Sequence, residues 1–276
     1  MNVFIDGQAP LVALKGAGDL ATGVIHRLVR AGFPVMATEL PRPTVLRRTV
    51  AFAEAVTAGE MTVEGITAQR ADSIADIQAA LNNGRVPVVI DPDGILRKQM
   101  QPTVLVEATL SKYNSGIRID DAPIVIALGP GYEAGKDVHA VIETNRGHNL
   151  GRVYLEGYAE PNTGVPGTIG GYSSERLLRA PCAGTIFGLR QIGDTVQVGE
   201  TIGFVKNAVS SDEAPVIAAL SGILRGLVRD GLTVSPGMKV GDIDPRAVRE
   251  HCFTISDKSR AVAGGVLEAV MYLLKN

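Results

Sequence analysis

Residues 180–203 and 218–241 carry one pattern twice, 38 positions apart and without a gap. Ala180, Gly184, Gly188, Leu189, Gly193, Thr195, Val196, Gly199 and Gly203 recur as Ala218, Gly222, Gly226, Leu227, Gly231, Thr233, Val234, Gly237 and Gly241. Glycine dominates the shared set, and it admits backbone geometries closed to other residues, so the repeat is one of conformation as well as of letters. The region is an internal duplication. Each copy reads as a short strand, a glycine turn and a second strand, then Gly-(Asp/Leu)-Thr-Val-x-x-Gly, which suits two hairpin-rich halves folding over one another.

Two such halves over residues 179–245 fit a β-rich barrel-sandwich hybrid of the biotinyl or lipoyl type. Carrier domains of that shape hold their cofactor on a lysine in the hairpin joining the halves, here residues 204–214. Its one lysine, Lys206, sits early and has no flanking methionines, so an unmodified scaffold is expected before a carrier.

With 276 residues, 45% of them hydrophobic, the chain can bury a large core and divide into two domains. A net charge of −2 with scattered basic residues leaves no footprint for nucleic acid. No apolar run approaches the roughly 18 residues that cross a bilayer, and residues 1–10 lack the features of a signal peptide, so a soluble cytoplasmic protein is expected. Cys182 and Cys252 are too few and too far apart for a disulfide framework or a metal knuckle, and both read as ordinary buried thiols, His251 beside Cys252 notwithstanding. No metal site is expected. Neither Gly-x-Ser-x-Gly nor His-Glu-x-x-His occurs, and no nucleophile is named: the catalytic residues stay unknown.

Near the start, Leu11-Val-Ala-Leu-Lys15 reads as a strand, Gly16-Ala-Gly18-Asp19-Leu-Ala21-Thr-Gly23 as a turn, and residues 24–31 as a helix stopped by Gly32. Pro34-Val-Met-Ala-Thr38 makes a second strand ending at Glu39. Strand, glycine turn, helix, strand and acid form the dinucleotide-binding arrangement: Gly16 turns the chain, Gly18 admits pyrophosphate, Ala21 packs the helix and Glu39 holds ribose hydroxyls. Lys15 and Asp19 bring charge where such fingerprints carry small or apolar residues, and Arg42, Arg47 and Arg48 leave NAD against NADP open. The alternative is a Rossmann-type fold that keeps the turn for packing alone.

Apolar runs at 86–90, 103–107, 122–128 and 138–142, with a helical stretch at 71–82, indicate a mostly parallel sheet. At their carboxyl ends stand Asp91-Pro-Asp93-Gly and Glu107, read as a turn first and a magnesium site second. The expected fold class is therefore α/β, a Rossmann-like mostly parallel sheet domain followed by the barrel-sandwich hybrid. Residues 1–145 form the nucleotide-binding domain, 146–178 a Gly/Pro/Asn-rich connector, 179–245 the duplicated domain and 246–276 a tail whose helix, about 259–274, packs back on a domain. Asn145, Arg146, His148 and Arg152 pair an imidazole with guanidinium groups, either as an anion site or as a solvated connector.

Lys15-Gly-Ala-Gly-Asp-Leu-Ala-Thr-Gly23, Thr38-Glu-Leu-Pro-Arg-Pro-Thr-Val45 and Arg47-Arg-Thr-Val-Ala-Phe-Ala-Glu-Ala55 share a further property with Leu128-Gly-Pro-Gly131, the run from Asp137 to Arg152, Arg179-Ala-Pro181, Ile255-Ser-Asp-Lys258 and Gly264-Gly-Val-Leu-Glu-Ala269. Together they resemble the YqeB-type accessory proteins of selenium-dependent molybdenum hydroxylase systems, distant relatives of XdhC-type insertion factors. The resemblance implies a maturation factor for a xanthine dehydrogenase-like molybdenum hydroxylase client, binding a molybdopterin-type dinucleotide or assisting with its sulfur or selenium ligand. On that reading the cofactor-binding set is Gly16, Gly18, Asp19, Ala21, Gly23, Glu39, Asn145, Arg146 and His148. Two rival expectations are an NAD(P)-dependent oxidoreductase with His148 as proton donor, and a biotinyl-like binding or carrier module. The expected partners are the client enzyme and a nucleotide-type small molecule, with no nucleic acid or membrane and with homo-oligomerisation left open.

Overall fold

The computed structural model describes residues 9–207, 209–210 and 212–275. Residues 1–8, within the stretch read for a signal peptide, lie outside that set, as do Ala208 and Ser211 of the 204–214 hairpin. The described chain forms two compact units. One comprises the chain up to Pro43, Ala51–Asn162 and the chain from Ile255 onward; the other comprises Thr44–Val50 and Thr163–Thr254.

The first unit contains β1 (Val12–Lys15), α1 (Asp19–Arg30), β2 (Val35–Glu39), α2 (Ala55–Ala58), β3 (Glu60–Val63), β4 (Ile66–Ala71), α3 (Ile74–Asn82), β5 (Val86–Ile90), α4 (Ile95–Gln99), β6 (Val104–Glu107), β7 (Ile124–Leu128), β8 (Ala140–Ile142) and β9 (Val153–Tyr154), and closes with α5 (Asp257–Leu273). Helix α1 begins five residues before the apolar periodicity that announces it. Extended Gly18 acts as its N-cap, Asp19 lies in its first turn, and Arg27 and Arg30 lie in its last, charges that all match the helix dipole. Gly32, at φ +92°, turns the chain off the end.

The sheet runs β3-β4-β5-β2-β1-β6-β7-β8-β9. Strands β4 to β8 are parallel to one another, whereas β3 and β9 pair antiparallel at the two edges. This mixed sheet corrects the expected Rossmann domain. The physical reason lies in the second half: no described helix intervenes between β6 and β7 or between β7 and β8. The sheet there is packed instead by α5, brought from the far end of the chain to lie against α1, β7, β8 and β9. A doubly wound domain would cover that face with its own crossover helices.

The second unit holds β10 (Leu177–Arg179), β11 (Gly184–Gly188), β12 (Thr195–Val196), β13 (Thr201–Asn207), β14 (Glu213–Ile217), β15 (Gly222–Leu227), β16 (Thr233–Val234) and β17 (Lys239–Asp244). They form two four-stranded antiparallel sheets, β10-β17-β15-β12 and β14-β13-β11-β16, around one core that includes Leu178, Ile186, Val196, Leu224 and Val240. The duplication survives in the hydrogen bonds. Gly193 donates to the carbonyl of Leu224, and Gly231, its repeat mate, donates to that of Ile186, the mate of Leu224. Each copy lends its short strand to the sheet built mainly by the other, β12 beside β15 and β16 beside β11. The expected biotinyl/lipoyl barrel-sandwich is corrected to this pair of sheets, since among the described residues no strand ladder joins one sheet to the other. No helix among the described residues is long and apolar enough to cross a membrane.

Glu64, in the β3–β4 turn, pins the start of α5. Its carboxylate accepts the backbone N–H of Ile255 at 2.8 Å and the Arg260 guanidinium at 2.8 and 2.9 Å. Burial pushes its pKa up, but the N–H of Ile255 and the charge and hydrogen bonds of Arg260 outweigh it and hold the group below the ordinary value. A depressed folded-state pKa means stability that is present above the unfolded value and is lost as pH falls through the folded one. Glu64→Gln is expected to cost about 1–2 kcal/mol at neutral pH, the worth of charged hydrogen bonds, and to flatten the acid side of a urea-midpoint profile. An unchanged acid limb would show that the contact contributes nothing.

Candidate functional site

The alternation of side chains along strands decides which residues meet at the carboxyl edge of the parallel sheet. Ala13, Met36, Val89 and Leu105 share one core with Ile77 of α3. Two residues further on, the same face carries Lys15, Thr38, Asp91 and Glu107. Lys15 stands in register with Thr38 on β2 and with Glu107 on β6. Strand β1 is also where the connectivity reverses, with β2 and β5 on one side and β6 and β7 on the other, and loops diverge at such a point to leave a crevice.

Glu107 is fully buried. One carboxylate oxygen, Oε1, accepts the backbone N–H of Thr109 at 3.2 Å and also its hydroxyl, while Oε2 has no hydrogen-bond partner. Burial raises its pKa, opposed by the Thr109 bonds and by Lys15. Lys15 is shifted in the opposite sense: burial lowers its pKa, Glu107 opposes that, and the charge of Arg97 adds to it. The Lys15 ammonium donates to the Ser115 hydroxyl at 2.7 Å and its carbonyl at 3.3 Å. Ser115 in turn meets the buried Tyr132 hydroxyl, which accepts its N–H at 3.0 Å and shares a hydrogen bond with its Oγ at 2.7 Å. Burial raises the Tyr132 pKa, and so does the neighbouring Glu107. A cavity of about 110 Å³ opens beside Lys15, Thr38, Arg97 and Ser115.

The residues expected to hold a cofactor lie elsewhere. Glu39 projects to the opposite face from Thr38, and its two oxygens accept the N–H of Ala17 at 3.0 Å and of Leu40 at 2.7 Å. Gly16 has φ +98°, and a Cβ there would press on Thr109 Cγ2 at 3.2 Å and Ala108 C at 3.3 Å, so this glycine lets two loops approach. Gly18 caps α1, Asp19 opens it, and Ala21 is buried along it. Gly23 faces Ser259 of α5, whose hydroxyl donates to the Asp19 carbonyl at 3.1 Å. Asn145 donates its amide N–H to Glu143 at 2.7 Å and its side chain to Glu160 at 2.6 Å. Arg146 makes a bidentate pair with Asp257 at 2.7 and 2.8 Å, while His148 is exposed in the same loop. The set thus divides between the α1 turn and the 143–152 loop. Arg47 and Arg48 belong to the other unit, where they bond the carbonyls of His251, Thr254 and Leu227. Asp91 caps α4, accepting the N–H of Ile95, Leu96 and Arg97.

Sequence reasoning passed over Lys15 as an irregularity in a fingerprint and did not reach Arg97. The available signal was a basic and an acidic residue, each ending an apolar strand.

No family model matches the chain. It is 50% identical over 264 residues to the uncharacterized protein YqeB of Escherichia coli (strain K12), a match covering 96% of this chain and 48% of that protein. The chain is similar to YqeB. It spans about half the length of that curated relative. Among solved structures it is similar to a succinylglutamate desuccinylase/aspartoacylase from Rhodobacter sphaeroides, with 12% identity, a TM-score of 0.28 and 86% of each chain covered. It is similar in the same way to the ectoine utilization protein EutE (DoeB) from Ruegeria pomeroyi, with 13% identity, a TM-score of 0.28, and 86% of this chain and 85% of that one covered. Likenesses at that score transfer neither fold nor activity.

No relative or neighbour found is described as a molybdenum hydroxylase maturation factor or an oxidoreductase, and the expected functions of both kinds are withdrawn, together with selenium handling. The carrier alternative goes with them: Lys206 lies within β13, paired with Thr185 and Glu213, rather than at a hairpin tip. The YqeB resemblance keeps only its coarse part, similarity in sequence.

Proposed function

We propose that this protein binds a small polar metabolite at the carboxyl edge of its parallel strands and moves a proton on it, with Glu107 as donor and Lys15 as acceptor. One observation carries the reading: side by side on β1 and β6, a buried carboxyl is pushed toward its protonated form and a half-buried amine toward its neutral form. Environments that drive two neighbouring groups in opposite directions assign an acid and a base. Glu107 keeps an oxygen without a partner, and Ser115 with Tyr132 orients the Lys15 amine. The dinucleotide expectation, molybdopterin-type or NAD(P), bears on this edge only through the chemistry of its phosphate groups.

The test is proton exchange. Small phosphorylated and carboxylated metabolites are incubated with the protein in D2O and followed by proton NMR for loss of a C–H signal. Wild type is expected to exchange at least one of them, and Lys15→Met and Glu107→Gln to slow that exchange about 100-fold or more, the usual worth of a positioned acid or base. Exchange that survives both substitutions would remove the pair from the mechanism.

A further inference from the structure

Arg97 is only 6% exposed. It sits on α4, where Asp91 takes its backbone N–H at 2.9 Å, and its side chain folds back over Gly94. Gly94, at φ +71°, has no Cβ; one placed there would stand 2.7 Å from a guanidinium nitrogen. The glycine therefore leaves room for the arginine to lie against the backbone. Among the described residues no carboxylate, carbonyl or hydroxyl accepts a hydrogen bond from this guanidinium. Asp91, which lines the same cavity, has both oxygens committed to the N–H groups of Ile95, Leu96 and Arg97.

An arginine so nearly buried, with no protein acceptor for its guanidinium, keeps its planar donors for the solvent or ligand that fills the adjoining cavity. Here the guanidinium borders the cavity of about 110 Å³, with Lys15 on the same wall and Thr38 and Ser115 offering hydroxyls. Arg97 and Lys15 repel one another, and that repulsion is part of what holds the Lys15 amine below its ordinary pKa. A bound anion would give the guanidinium a fork-shaped partner.

We infer that Arg97, beside Lys15, forms a binding site for a small oxyanion, the phosphate or carboxylate group of a ligand. This rests in part on the proton-transfer reading, to which it adds the substrate class: a metabolite anchored by an anionic group on Arg97, with its reacting atom near Lys15. The cavity is closed enough to seat the oxyanion and too small to seat a nucleotide base beside it. Asp93 and Asp121 also line the cavity and favour an anion entering as one group of a small molecule, since a larger polyanion would meet them.

The test uses the full chain and two probes, inorganic phosphate and acetate, in parallel calorimetric titrations. At least one is expected to bind wild type. Arg97→Met should weaken that binding at least tenfold, and Arg97→Lys, which keeps the charge and loses the fork, should fall between. The probe that binds distinguishes a phosphate site from a carboxylate site. Circular dichroism reports folding; if Arg97→Met does not fold, Arg97→Lys alone decides, and equal affinity in it would overturn the assignment. So would the absence of binding by either probe to folded wild type. The NMR titration of the Glu107 carboxyl separates this inference from the proton-transfer reading. Lost anion binding in the Arg97 variants with Glu107 still titrating above its ordinary range supports the anion site, whereas a Glu107 that titrates normally in wild type sinks the proton donor and leaves the anion site standing.

Discussion

Asp244→Ala is expected to destabilise the second unit by about 3–5 kcal/mol, the cost of removing one partner from a buried ion pair. Asp244 is fully buried and accepts the backbone N–H of Arg246 at 3.1 Å, its Nε at 2.9 Å and its Nη2 at 2.6 Å. Arg225 approaches it at 3.6 Å, is itself buried, and has no acceptor for its Nε. Next to them, Arg176 pairs with Asp242 at 2.7 Å. Truncating Asp244 strands the Arg225 charge in the core. Urea unfolding monitored on the second unit measures the loss, and Arg225→Met in the Asp244→Ala background should recover part of it, because the double variant no longer buries an uncompensated cation. An Asp244→Ala cost under about 1 kcal/mol would mean that water reaches Arg225 once the carboxylate is gone.

The same residue sets an acid limit. Burial pushes the Asp244 pKa up, but the hydrogen bonds and charge of Arg246, with Arg225 beside it, bring it below the ordinary carboxylate value. The stabilisation is present above the unfolded-state pKa and disappears as pH falls through the depressed folded-state value. Asp242 is shifted the other way, upward, because its burial outweighs the charges of Arg176 and Arg225. Its contribution therefore declines as pH rises from its unfolded-state value through its folded-state one, and the two aspartates oppose one another.

Gly265→Ala is expected to cost about 3 kcal/mol, at the upper end for overpacking a tight contact. Gly265 lies on α5, and a Cβ there would overlap the carbonyl oxygen of Gly151 and stand 2.9 Å from Ile142 Cγ2 and 3.1 Å from the Gly151 carbonyl carbon. The contact is reciprocal: Gly151, at φ +83°, would with a Cβ press on the Ala261 carbonyl oxygen at 2.6 Å. Backbone meets backbone on both sides, so no side chain can swing away, and the helix itself has to move. That helix covers β7, β8 and β9, and a shift along it disturbs the packing of the sheet's second half. A thermal melt checks the prediction. Alanine's better helix propensity returns about 1 kcal/mol in a helix that can slide, so a net loss near zero would show that α5 accommodates by sliding.

Much of the local structure was legible. The apolar runs at 86–90 and 103–107 fall within one residue of β5 and β6, and Gly32 ends α1. The site was less so. Glu39 looked like a ribose ligand because an acid ending a second strand has that role in dinucleotide folds, whereas here its carboxylate is turned back onto Ala17 and Leu40. Arg146 looked like an anion-pairing group and is paired with Asp257, more than a hundred residues away. Lys15 and Glu107 were each visible at a strand end, but nothing in their separation of 92 positions said that β1 and β6 lie side by side.

What is local or periodic can be read along the chain: strand and helix positions, the glycine turns, and the duplication, whose 38-residue offset reappears in paired hydrogen bonds such as Gly193 to Leu224 and Gly231 to Ile186. These follow from backbone sterics and side-chain alternation, which act over a few residues. It took folding in three dimensions to put α5 in the place of crossover helices, to have each repeat lend a strand to the other, and to gather Lys15, Glu107 and Arg97 at one edge. Those outcomes depend on which apolar faces cover one another and on which charges lose water together, and both are settled only when segments distant in the chain are brought into contact.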